Sequence, residues 1–316
     1  MFNPPDRRWR ASPSAMPLGM DWHDYNEALI ERGSSLMDFG FVSTWTEEVE
    51  SMNEGKEGRP YRFPESYVSF LAFLKVGFDM TYREVQGVTR ALSEHIKPLE
   101  EMHFTHARRR IIRMVKKKKP SEMVKLDGDG PLTVVADSTG LSTTRKGSYI
   151  EAMWRREKRR FVKLHILADP KTGKIVGFRV TSEKTGDTKK FVPMVKEVAK
   201  KNKVKKAYAD GAYDSRANFN LLDELSIEPA IKVKRNASAK PKGSPLRKEE
   251  VLLVQRVGYD RWKELKEYAR RWMVEVVFSS LKGVLGEALR ARRFVSQKVE
   301  ASLKVMLYNR FMSIRP

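Results

Sequence analysis

The chain of 316 residues is 41% hydrophobic, enough for two or three folded domains with a sizeable core. Sixty-two lysines and arginines face 40 acids, and a net charge of +22 points to a polyanionic partner, nucleic acid first. Cysteine is absent and the five histidines are scattered, which excludes disulfides and thiolate metal sites and leaves carboxylates as the only plausible metal ligands. The longest apolar run, Tyr67 to Leu74, is too short to cross a bilayer, and no stretch reads as a signal peptide, so the expectation is a cytoplasmic, nucleoid-associated protein without a membrane partner.

Residues 1–20 carry four prolines and little periodic pattern, and read as a disordered tail. Residues 21–120 form a helical unit. Two short helices are expected around DWHDYNEALIERG and FVSTWTEEVESM, followed by a loop. Pro64 opens the aromatic-rich helix ESYVSFLAFLKV. After a turn at Gly77–Met80, Thr81 and Glu84 form a capping box for the next helix. Thr105 then caps HARRRIIRMVKKKK, which holds eight Lys or Arg and no acid between Arg108 and Lys119. Helix, short turn, helix and basic helix is the outline of a helix-turn-helix-like, all-α DNA-binding domain. Its expected contacts are Arg108, Arg109, Arg110, Arg113 and Lys116. A helical bundle with a solvated basic face would give the same pattern.

Residues 131–316 alternate strand and helix. LTVVADSTG is a short apolar strand ending in Asp137, and residues 161–182 read as a hairpin turning at Asp169–Gly173. Next come the helix DTKKFVPMVKEVAKK, a strand ending at Asp210, the helix SRANFNLLDELS and the strand EPAIKV. This order describes an α/β domain with a mixed sheet flanked by helices. Between Lys232 and Lys248 seven basic residues meet no acid, as in a flexible basic loop. A long helix from about Tyr259 to Leu285 and a last one, SQKVEASLKVMLYNRFM, complete the chain.

Within YARRWMVEVVFSSLKG, Tyr268, Arg271, Glu275 and Lys282 fall within about 60° on a helical wheel, beside the apolar stripe Val274, Val277, Phe278, Leu281 and Leu285. A carboxylate between two cations and a phenol suits phosphate and metal chemistry. Taken singly, each aspartate has a bland reading, Asp137 as an Asx turn and Asp210-Gly211 as a turn dipeptide. Strand ends on one edge of a sheet lie close, however, and a helix crossing that edge can deliver Glu275. Three carboxylates without Cys or His make a site for hard divalent cations, Mg²⁺ or Mn²⁺. A pair of such ions suits phosphodiester cleavage.

These motifs resemble those of prokaryotic insertion-sequence transposases of the DDE superfamily, in the branch with a Tyr-x2-Arg-x3-Glu-x6-Lys motif. The match is gapless at Tyr268, Arg271, Glu275 and Lys282. VVADST resembles the first acidic motif of that family, and Asp210-Gly211-Ala212-Tyr213 its second, with Gly directly after Asp as a small departure. The resemblance implies an RNase H-like catalytic domain in its compact form. It implies Asp137, Asp210 and Glu275 as catalytic metal ligands for two ions, and Tyr268, Arg271 and Lys282 as contacts to DNA phosphates. The implied function is cleavage of transposon-end phosphodiesters and strand transfer into target DNA, with double-stranded DNA ends and target as partners and a homodimer on DNA. An RNase H-like nuclease without strand transfer and a catalytically silent DNA-binding regulator are the alternatives.

Overall fold

The computed structural model describes residues 21–117, 130–143, 161–240 and 242–314. The helical unit comprises α1 (Trp22–Leu36), α2 (Trp45–Asn53), α3 (Glu65–Gly77), α4 (Tyr82–His95) and α5 (Phe104–Lys117). Asp21 caps α1, and the capping box of Thr81 and Glu84 starts α4 as expected. Helix α5 begins one residue earlier than its expected cap, so Thr105 lies inside it. α3 is apolar nearly all round because it is central. Tyr67 and Phe70 pack on Phe41 with ring centroids 5.3 and 5.0 Å away, and Trp45 closes the cluster.

Five strands follow: β1 (Leu132–Ser142), β2 (Phe161–Ala168), β3 (Ile175–Ser182), β4 (Val204–Ala209) and β5 (Glu228–Ile231). Their order is β3-β2-β1-β4-β5, with β1, β2 and β3 antiparallel and β1, β4 and β5 parallel. The helices α6 (Thr188–Ala199) and α7 (Arg216–Glu224) cover one face through Phe191, Val195, Phe219 and Leu222. The other face takes α10 (Met273–Leu285) and α11 (Phe294–Ser313). Helix α11 is buried along most of its length because it also packs against α3 and α5, so one core runs from the sheet into the helical unit.

Three local expectations change. First, β1 does not end at Asp137. It runs to Ser142, paired beyond Ala136 with β2 alone, and Ser142 exchanges hydrogen bonds with Glu287 and Leu289 in the α10–α11 connector. Second, the segment 232–248 is not all loop. Pro245, favourable in a first helical turn, opens α8 (Pro245–Val257), and Arg247 forks onto buried Asp214 at 2.6 and 3.0 Å. Third, the long helix is broken. After α9 (Tyr259–Leu265), Glu267 takes a left-handed conformation (φ 51°), a 3-10 turn covers Tyr268–Trp272, and α10 starts only at Met273. The basic stretch Arg155–Lys163 lies outside the described residues up to residue 160.

Candidate active site

The parallel register explains how two acids 73 residues apart meet. Ala136 pairs with Ala209, and the next residue on each strand is an aspartate, at the point where the two strands part. Neighbouring strands run about 4.8 Å apart, so Asp137 and Asp210 are forced together by backbone geometry. Asp137 Oδ1 accepts from Ser138 N at 2.7 Å. Asp210 caps the 3-10 turn Gly211–Tyr213, accepting from Ala212 N at 2.9 Å. Burial raises the Asp137 carboxyl above its ordinary pKa; the Asp210 and Asp187 charges push the same way, while Ser138 N–H and Arg271 oppose them.

Arg271 leaves the 3-10 turn between the acids. One guanidinium nitrogen lies 3.2 Å from Asp137 Oδ2, and another 2.8 Å from Glu275 Oε1. Glu275 stands exposed in the first turn of α10, where the positive end of the helix favours a carboxylate. The arrangement thus brings Asp137, Asp210 and Glu275 to one edge of the sheet, with Arg271 as cation between the first and the last. Lys282 is half-buried in the last turn of α10, about two turns beyond Glu275, and does not join the acids.

Tyr268 departs from its expected role. It is only 8% exposed, packs against Trp262 at 5.0 Å, and donates its hydroxyl proton to Ala209 O at 3.0 Å. Burial pushes its pKa up. Because the break at Glu267 turns it inward, the phenol points into the core and fastens the 3-10 turn to the residue before Asp210. Arg110 departs likewise. It is 4% exposed, donates to Phe63 O at 3.1 Å and Glu65 at 3.2 Å, and stacks over Tyr61. It lies on the stripe of Ala107, Ile111 and Met114, so it braces the unit rather than facing DNA. Arg108, Arg109, Arg113 and Lys116 do face outward.

Several contacts escaped the sequence reading. Asp187, before α6, accepts from Ser138 Oγ at 2.7 Å and lies 3.2 Å from Lys163 Nζ. Tyr213 is buried beside Asp137, Asp187 and Asp210, with its hydroxyl bonded to no described group, and burial raises its pKa. Asp214, four residues after Asp210, is fully occupied by Arg247 and Lys234 N. The basic surface also extends past α5. A groove of about 550 Å³ holds Arg59, Arg62, Arg109 and Arg113 around His106, whose pKa is lowered by burial and by the charges of Arg110, Arg109, Arg59 and Arg113. A second groove, of about 380 Å³, joins Arg83 and Arg108 to Arg292 and Arg293.

Among the described residues, no three carboxylate or imidazole side chains lie close enough to hold one ion together. The donor chemistry nonetheless fits a hard cation: Asp137 and Asp210 are the negative pole, and Arg271, a positive charge, pairs with both Asp137 and Glu275.

An α/β sheet with acids gathered at the parting of its central parallel strands, on a strongly basic chain, defines a class: enzymes of phosphodiester chemistry on nucleic acid. Family comparison makes this specific. The model described as "Transposase DDE domain" matches residues 128–310, and a second with the same description matches residues 30–146. The chain belongs to the transposase DDE-domain family: it is a DNA transposase, cleaving DNA and transferring strands. Enzymes of this family use divalent metal ions. Among solved structures, the chain is similar to piggyBac transposase in a synaptic complex with hairpin DNA (12% identity, TM-score 0.42, covering 90% of this chain and 74% of that one). It is also similar to the Drosophila P element transposase strand transfer complex (11%, 0.33, 89% and 85%) and to a pre-cleavage Mos1 transpososome (13%, 0.23, 82% and 80%). At these scores the likenesses add nothing to the assignment, which rests on the family match. No helix among the described residues is long and apolar enough to cross a membrane.

Proposed function

We propose that the chain is the transposase of a prokaryotic insertion sequence, of the branch with the Tyr-x2-Arg-x3-Glu-x6-Lys motif, acting in the cytoplasm on nucleoid DNA as a homodimer on its substrate. Its units are a helical DNA-binding region (21–120) and an RNase H-like catalytic region (131–316), while the expected tail of residues 1–20 lies outside the described residues. The strand order β3-β2-β1-β4-β5, with two antiparallel pairings followed by two parallel ones, supports the second of these names. Asp137, Asp210 and Glu275 carry the reaction and would hold two Mg²⁺ or Mn²⁺ ions. When bound, such ions activate the attacking oxygen and stabilise the leaving one.

The protein's own groups do the rest. Arg271 keeps Asp137 and Glu275 aligned and offers a planar fork to a phosphate entering between them. Tyr268 locks the turn that carries Arg271 onto β4. Lys282, two turns along α10, meets a neighbouring phosphate and positions the transposon end. The outward cations of α5 and of the two basic grooves track the backbone and make binding sensitive to salt.

The observation that carries this reading is the register of Ala136 on Ala209, which sets Asp137 and Asp210 side by side within reach of the Arg271–Glu275 pair. Asp137→Asn, Asp210→Asn and Glu275→Gln are each expected to abolish cleavage of flanking-end DNA in Mg²⁺ while binding stays near wild type. Wild-type cleavage by any one of them removes that residue from the site.

A further inference from the structure

Both leading aspartates are tied, by separate hydrogen-bond chains, to two consecutive residues at the start of α6. Ser138 donates its N–H to Asp137 Oδ1 and its hydroxyl to Asp187 Oδ1, each at 2.7 Å. The next residue, Thr188, donates its hydroxyl to Ala212 O at 2.7 Å, and Ala212 N donates to Asp210 Oδ1 at 2.9 Å. One dipeptide therefore reaches Asp137 through Ser138 and Asp210 through Ala212.

The local geometry shows that these side chains serve the neighbouring turns and not their own helix. Asp187 occupies the N-cap position, where an aspartate ordinarily accepts from the N–H groups of the first turn. Here its backbone is helical (φ −63°, ψ −43°) and its side chain makes no cap. Its carboxylate instead turns across to β1, supported by Lys163 at 3.2 Å, with His165 Nδ1 at 3.3 Å but not aligned for a hydrogen bond. Ser138 and His165 are cross-strand partners on the face of the sheet that α6 covers, opposite the face through which Arg271 and Glu275 approach. The acids are thus held from both sides of the sheet.

We infer that Asp187 and Thr188 are positioning residues of the transposase site: a brace that sets the spacing of Asp137 and Asp210 before any ligand arrives, without itself touching the metal or the DNA. The inference deepens the reading of these acids as ligands and rests on it only for its catalytic consequence. Groups that orient ligands typically account for a 10–100-fold difference in metal affinity or activity.

The test uses the full chain. Asp187→Ala removes the acceptor for Ser138, whereas Asp187→Asn keeps an oxygen there and removes the charge. Thr188→Val removes the donor to Ala212, whereas Thr188→Ser restores it. Hydrogen–deuterium exchange without metal is the first readout. Thr188→Val is expected to lower protection over residues 210–213, and Asp187→Ala around Ser138, with Thr188→Ser and Asp187→Asn close to wild type and all four melting cooperatively. Binding of Mn²⁺, followed by the loss of the free-ion electron paramagnetic resonance signal, is the second. The damaging pair is expected to bind about 10-fold or more weakly, and the conservative pair within about threefold. Unchanged exchange in Thr188→Val and Asp187→Ala overturns the brace. So does an Asp187→Asn that binds Mn²⁺ as poorly as Asp187→Ala, because that makes the charge of Asp187, and not its hydrogen bond to Ser138, what Mn²⁺ binding needs. Should exchange respond as expected while the wild-type chain binds no Mn²⁺, the brace stands and the assignment of the acids as metal ligands falls instead.

Discussion

Helix α5 and the stretch from Tyr268 to Lys282 both show cations at helical spacing, yet the fold treats them in opposite ways. Along α5, Arg108, Arg109, Arg113 and Lys116 stand in solvent on one side of an apolar stripe. In the second region Arg271 is folded between two carboxylates, and Tyr268 is turned into the core. Unpaired outward charge supplies affinity and salt dependence. Charge locked against acids supplies position, which is what a bond-breaking site requires.

The sharpest way to break this contrast is at Arg271. Its replacement by Ala is expected to lower cleavage about 100-fold or more while DNA affinity falls much less. Arg271→Lys is expected to recover little, since an ammonium cannot bridge two partners as the fork does. A lysine variant cleaving at the wild-type rate would reduce Arg271 to a bare charge.

The next effect belongs to α5. Neutralising Arg108, Arg109 and Arg113 together is expected to flatten the dependence of log affinity on log salt by about three units, one per lost phosphate contact. Arg110→Ala is expected to leave that slope alone and to cost about 2 kcal/mol of stability, because it unpairs Phe63 O and opens the core beside Tyr61. Salt titrations beside denaturant melts separate the two, and a change of slope in Arg110→Ala would erase the distinction.

Lys282→Ala tests position in milder form. End-sequence DNA is expected to be cut roughly tenfold more slowly, while Mg²⁺-dependent nicking of scrambled DNA of equal length survives, because the carboxylates are intact. Equal loss on both substrates would sink the end-positioning role.

The smallest effect expected is one of pH. Burial lowers the pKa of His165 to about 4, so the folded protein holds it neutral where an unfolded chain already binds a proton. The unfolded state therefore carries more protons between about pH 6.5 and 4, and stability falls as pH drops through that window, by up to about 3 kcal/mol. Melts of His165→Gln against wild type isolate this contribution, and parallel pH curves would refute it.

Much of this architecture was legible in the chain. The apolar strand before Asp137, the second before Asp210 and the amphipathic run around Glu275 announced the elements, since strand and helix periodicities differ so plainly there. Arg110 was legible too, at three residues from Ala107 and four from Met114 on the apolar stripe. Tyr268 was not: nothing in residues 259–285 signals the left-handed Glu267 that divides one periodic pattern into two helices. Asp187 in Gly-Asp-Thr looks like any helix cap, and only the packing of α6 against β1 reveals that its carboxylate points elsewhere. Helix α8 was hidden by reading a basic stretch as loop, although Pro245 sits where a helix would begin.

The burial of α11 between the sheet and α3 has a practical corollary for anyone cutting the chain. A fragment ending at residue 117 would expose the apolar surfaces of α3 and α5, and its complement would bare the matching side of α11. Produced separately, the two halves should be poorly behaved; produced in the same cell, they should find each other and reconstitute cleavage. Such a split enzyme would be silent until both pieces are present, a means of placing DNA insertion under the control of two promoters.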